Sequence, residues 1–201
     1  VIGWISLVAV VGWVVGLVWL RRRWRARGEL EGEREERRHR SIAILLRELR
    51  VATVAEVREA AIRCWNMTPS DAGDAQEFVT GEDGLVMAKT KGRIVMVSTL
   101  VVPVVSDPAA FAERLLDGEI GRRFAEHRAC ISALSLEAEE SDEIVYAHVA
   151  RLVAELIKPG DLLVYAEDLG RIAEVSDGIA ERLRMEPIGE VLPELRRRDA
   201  N

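Results

Sequence analysis

The sequence predicts an α+β domain, with a sheet covered by helices, hung from a single N-terminal transmembrane helix by a charged helical stalk. Three observations carry this. The first twenty residues hold no charged side chain, residues 21–40 are dense in Arg and Glu, and strand-like and helix-like periods mix from residue 51 onward. The chain of 201 residues is 49% hydrophobic, too apolar for a disordered chain. Its two cysteines are too few for a disulfide-stapled mini-domain or a Cys-rich zinc module.

Residues 1–20 read VIGWISLVAVVGWVVGLVWL, with Ser6 the only polar side chain. As a helix this run is about 30 Å long, the thickness of a bilayer core. Trp4 and Trp19 sit near its ends, where amphipathic rings favour the interface. A signal peptide would need a basic start, a shorter apolar run and a small-residue cleavage site. Arg21, Arg22 and Arg23 follow, then Trp24, Arg25 and Arg27. This flank predicts membrane-lipid contact and a cytoplasmic domain, because Arg and Lys gather on the cytoplasmic side of a span. Gly12 and Gly16 form a G-x-x-x-G pair, a spacing that lets helix backbones approach. Through it the chain would pack against a second copy or another membrane protein.

Residues 21–50 read as a juxtamembrane helix. Glu33 with Arg37, and Glu36 with Arg40, are i,i+4 pairs, and Ile42, Leu45, Leu46 and Leu49 make an amphipathic stripe where the stalk meets the domain. Residues 21–40 carry nine Arg and five Glu, a net +4, which leaves 19 basic and 29 acidic side chains and a net −10 over residues 41–201. A domain so acidic excludes a general nucleic-acid binder and is repelled by an anionic leaflet.

Residues 51–195 are the predicted folded domain, long enough for one core. Thr53 and Glu56 form a capping box opening a helix to about Trp65, with Val54, Val57, Ala61, Ile62 and Trp65 facing inward. NMTPSDAGDAQ is a loop by composition. Leu85–Lys89 and Arg93–Val102 read as a hairpin turning at Lys91-Gly92, stopped by Pro103. Asp107-Pro108 is a helix start, and a short helix follows around Ile120–Glu126. Arg128–Leu136 is a strand candidate. A long helix runs from Ser141 or Asp142 to Lys158, stopped by Pro159-Gly160. Two short strands, Leu162–Tyr165 and Arg171–Val175, flank the turn Asp168-Leu169-Gly170, and a last helix starts near Ser176-Asp177. Residues 196–201 read as a frayed tail.

Few residues invite chemistry. His127 and His148 are the histidines of the domain, too few for catalytic zinc with its three protein ligands. His148 lies near the apolar stripe of the long helix, as a core or domain-edge histidine would, and His127 precedes a strand, as a loop residue would. Cys64 and Cys130 sit in apolar segments and read as buried thiols. Glu137, Glu139, Glu140, Asp142 and Glu143 are acidic, but the N-terminal dipole of the long helix accounts for the last two. Lys89, Lys91 and Arg93 give the hairpin a basic tip. Phosphate loops, dinucleotide fingerprints, nucleophile elbows and H-E-x-x-H are absent. No cofactor is therefore expected.

Lys91-Gly92-Arg93 through Pro103, Asp107-Pro108, His127-Arg128-Ala129 and Asp161-Leu162-Leu163-Val164-Tyr165 together resemble an uncharacterised bacterial domain family, over about residues 77–175. That family pairs a glycine hairpin and a D-P helix start with an H-R-A-Trp strand and a later V-Y strand. Here Cys130 replaces the Trp, and Leu134 stands where an acid is usual. The resemblance implies the fold and no activity.

The leading expectation is a membrane-anchored protein presenting a cytoplasmic domain for protein or small-ligand binding. The alternatives are a membrane-tethered enzyme, with His127, His148 and the acidic cluster as its candidate residues, and an accessory subunit of a membrane complex.

Overall fold

The computed structural model describes residues 40–70, 76–90, 92–136 and 141–196. The predicted span with Trp4, Gly12, Gly16 and Trp19 lies outside the described residues. So do the stalk as far as residue 39, with Arg21, Arg22, Arg23 and Trp24, and Lys91, Glu137, Glu139, Glu140 and the tail from residue 197.

The first described element corrects the sequence reading. Ser41–Leu46 is a strand, β1, and not the amphipathic end of a stalk helix. Ile42, Ile44 and Leu46 face one side of a sheet while Ala43 and Leu45 face the other. A strand buried on both faces reads as a continuous apolar run, so its period of two is hidden. Folded structure thus includes residues before position 51.

After β1 come α1 (Val54–Trp65), β2 (Phe78–Glu82), β3 (Leu85–Thr90), β4 (Arg93–Leu100), α2 (Pro108–Ala112), α3 (Gly118–Glu126) and β5 (Ala129–Ser135). Then follow α4 (Asp142–Leu156), β6 (Leu163–Ala166), β7 (Arg171–Glu174), α5 (Ile179–Met185) and α6 (Ile188–Val191). The strands form one open antiparallel sheet in the order β2-β3-β4-β5-β1-β6-β7. The expected hairpin is β3–β4, with Gly92 at φ +82°. β2 has no counterpart in the sequence reading. The run from Pro108 is helical only to Ala112, after which Leu115 turns into the core.

On one face, α1 and α4 cover the sheet, and α5 and α6 pack beside α4. The Thr53–Glu56 capping box is present and starts α1 over β2 and β3. Val57, Ala60, Ala61, Val145, Val149, Leu152 and Val153 close this larger core over Ile42, Ile44, Val86, Val95, Val97 and Ile131. On the other face, Phe111, Leu115 and Phe124 from the α2–α3 region cover Ala43, Leu45, Cys130, Leu163 and Tyr165.

Polar clamps fix the helices to this frame. Arg50 donates from Nε (3.3 Å) and Nη2 (2.8 Å) to the carboxylate of buried Asp161, and Nη2 also reaches the Leu156 carbonyl at 2.6 Å. The Lys158 N–H donates to the same Asp161 carboxylate at 2.8 Å. The end of α4 is thereby tied to the chain leaving β1. Glu155 accepts from Arg63 of α1 at 2.7 Å and from Arg184 of α5 at 2.8 Å. Burial pushes the Glu155 carboxyl upward, but the two guanidiniums outweigh it and hold it below the usual carboxylate range.

Candidate functional site

Two surface features lie at the end of the sheet where β1 and β4 finish and β5 begins. The first is a hollow of about 510 Å³ lined by Arg47, Arg122, Glu126 and Arg128. Arg47 follows the last residue of β1, and Arg128 precedes the first residue of β5. The Arg128 N–H donates to the Leu46 carbonyl at 2.9 Å, so these antiparallel strands end side by side and present both arginines together. Arg122 and Glu126 lie one turn apart on α3, which Asp117 starts by accepting from the N–H groups of Glu119 and Ile120.

Glu126 is the hub of the hollow. Its carboxylate accepts from Arg47 at 2.7 Å and from Arg122 at 2.6 Å. The Arg47 hydrogen bond is the main cause of a carboxyl held below the ordinary range. Arg122 also donates to Glu119, at 2.6 and 3.1 Å. Arg128 is exposed and makes no ion pair among the described residues. The hollow therefore holds three guanidiniums around one carboxylate, in a domain that is acidic as a whole.

The second feature is apolar. Val101 and Val102 leave β4 68% and 51% exposed, and Leu49 and Val51 after β1 are 52% and 43% exposed. Backbone contacts gather these segments. The Gly84 N–H donates to the Ala52 carbonyl at 2.8 Å, the Ala52 N–H to Thr99 Oγ1 at 3.0 Å, and the Thr99 N–H to the Gly84 carbonyl at 2.8 Å. Leu100 pairs with Cys130 as the last rung of the β4–β5 ladder, and Val101 and Val102 follow as a bend. The Val104 N–H then donates to His127 Nε2 at 3.0 Å, which keeps the segment against β5.

The two domain histidines lie on separate parts of the fold. His127 lies in the two-residue connection between α3 and β5, as expected, but is fully buried, capping α3 under the aromatic rings of the smaller core, 4.8 Å from the Phe124 ring. Its Nδ1 donates to the Phe124 carbonyl while Nε2 accepts from Val104, which requires the neutral Nδ1–H tautomer. Burial pushes its pKa down. Both nitrogens are committed to structure. His148 is half-buried on α4 and stacks on Trp65, with centroids 4.2 Å apart and planes within 3°. Trp65 Nε1 donates to the His148 carbonyl at 3.2 Å, fixing the stack.

Cys64 is held by burial as a thiol with a pKa of about 12, and Cys130 is buried in β5. Tyr146 donates to Asp168, and its phenol is pushed up, first by burial and then by that carboxylate. In the acidic cluster, Asp142 accepts from Arg40 at 2.6 Å. Among the described residues no group of three or more His, Cys, Asp or Glu could hold a metal ion, and no helix is long and apolar enough to cross a membrane.

The hollow and the aliphatic cluster were not singled out by the sequence. Arg128 stood in a strand motif and Arg47 in the supposed stalk; only the pairing of β1 with β5 brings them together. No family model matches the chain, nor does any curated protein or solved structure.

Proposed function

We propose that this chain is a membrane-anchored binding protein. Residues 1–20 span the bilayer with Trp4 and Trp19 at its interfaces, and Arg21, Arg22 and Arg23 hold the following domain on the cytoplasmic side. The domain binds a protein partner through the aliphatic end of its sheet. The observation that supports this most is the exposure of Leu49 and Val51 after β1 and of Val101 and Val102 after β4, on segments that Gly84 and Thr99 tie together at one end of the sheet. Single exposed apolar side chains are ordinary, whereas several at one end of a sheet favour a contact surface. Anchoring confines the bound partner to the membrane plane and raises its effective concentration there.

The test uses the full chain in its host membrane. Alkaline carbonate washing should leave it in the membrane, and a photo-crosslinking residue at Val101 should give a discrete adduct. Leu49→Asp or Val102→Asp should abolish that adduct without releasing the chain. Release by carbonate refutes the anchor, and an adduct indifferent to both substitutions refutes the binding surface.

A further inference from the structure

We infer that the hollow between Arg47, Arg122 and Arg128 is a binding site for a phosphate group, either a free phosphate monoester or a lipid phosphate headgroup. The inference rests on the reading of this domain as a binding module and names one ligand class for it. Charge comes first. Three guanidiniums surround one carboxylate, a local +2, within residues whose net charge is −10. Surface arginines in an acidic domain lower their energy by pairing with its carboxylates, as Arg63, Arg182 and Arg184 do. Arg128 makes no such pair among the described residues, although the strand ladder fixes its backbone.

Donor geometry comes next. A guanidinium carries five N–H donors in a planar fork suited to phosphate oxygens. Arg47 gives Glu126 a bond from Nη2 alone, and Arg122 gives it one from Nη1. Donors remain on Arg47 and Arg128, both in the lining of the hollow.

A purely structural account makes the arginines neutralise the C-terminal dipole of α3 and brace Glu126. The two accounts predict opposite signs for Glu126→Gln. As a brace, Glu126 holds Arg47 and Arg122 in place, and its loss leaves anion binding absent or weaker. In a phosphate site, Glu126 is the intramolecular competitor, and its loss raises the local charge to +3 and frees Arg47 Nη2 and Arg122 Nη1 while Arg122 stays held by Glu119.

Calorimetric titration of the full chain in neutral detergent with inorganic phosphate and phenyl phosphate tests this. Arg128→Gln should weaken binding about tenfold, the scale of one charge-assisted contact, and Glu126→Gln should tighten it several-fold. Arg182→Gln, on the remote α5, should change nothing. Repeating the titration in nanodiscs separates the sources. Phosphatidic acid competes away the soluble ligand if the site takes a headgroup, and equal affinity in phosphatidic acid and phosphatidylcholine discs assigns it to a soluble ester. The inference is overturned if neither phosphate compound binds and phosphatidic acid discs protect Arg47 and Arg128 from phenylglyoxal no better than phosphatidylcholine discs do. It is equally overturned if Arg128→Gln leaves affinity unchanged or Glu126→Gln weakens it. None of these results alters the Val101 adduct, so this site and the partner surface fail separately.

Discussion

Replacing Asp161 by Ala removes the acceptor that ties three parts of the domain together. Its carboxylate receives the Arg50 fork and the Lys158 N–H, while Arg50 also holds the last carbonyl of α4. Hydrogen bonds to a charged group contribute about 1.5–3 kcal/mol when well buried. The Asp161 side chain is 6% exposed and that of Arg50 22%, so water recovers part of the guanidinium's loss. That reduces the Arg50 share to about 1–2 kcal/mol, well below the cost of stranding a fully buried charge. The Lys158 N–H loses its partner for about a further 1–2 kcal/mol. Asp161→Ala should therefore cost about 3 kcal/mol. With a urea dependence of about 2 kcal/mol per molar, the unfolding midpoint should fall by about 1.5 M. Arg50→Met should cost about 2 kcal/mol, and the double mutant should show a coupling of about 1–2 kcal/mol, since both changes delete one shared contact. A midpoint within about 0.2 M of the parent, or a cycle that sums to zero, refutes the clamp.

Further outcomes follow from single sites. Gly81 has φ +137°, and a Cβ there would meet the Leu85 carbonyl oxygen at 2.3 Å, so Gly81→Ala should cost about 2–4 kcal/mol in thermal unfolding. Gly92 has φ +82° in open space, and Gly92→Ala should cost only about 1 kcal/mol; equal losses at the two sites refute the steric argument. His127 is favoured neutral in the fold, so the unfolded chain binds its proton first as pH falls. Its contribution is complete above a pH of about 6.5 and is lost as pH falls through the lower folded value; His127→Phe should remove that part of the pH–stability slope, and an unchanged slope refutes the assignment. With its pKa of about 12, Cys64 should resist iodoacetamide in the folded protein at pH 8 and react once urea unfolds it; labelling at equal rates in both states would contradict the burial.

Local patterning made much of the fold legible. Thr53 with Glu56, Asp107 with Pro108, and Pro159 with Gly160 mark helix ends through contacts within a few residues. Two strands escaped. β1 alternates between two buried faces and so shows no polar residue to reveal its period. β2 runs as Phe78-Val79-Thr80 before Gly81, too short to establish one, and becomes a strand because β3 supplies its ladder.

The uncharged run over residues 1–20, the arginine flank after it, the acidic balance from residue 41 and the helix caps are properties of the amino-acid order itself, because each depends only on near neighbours. The hollow is different. Arg47 and Arg128 stand about eighty positions apart, and nothing local to either names the other. The segments that carry Val51 and Val101 are likewise tied together through Gly84 and Thr99. Strand partnership is decided by burying both faces of one sheet at once, a global optimum over every segment. The tertiary structure alone therefore decides which charges and which aliphatic side chains share a surface.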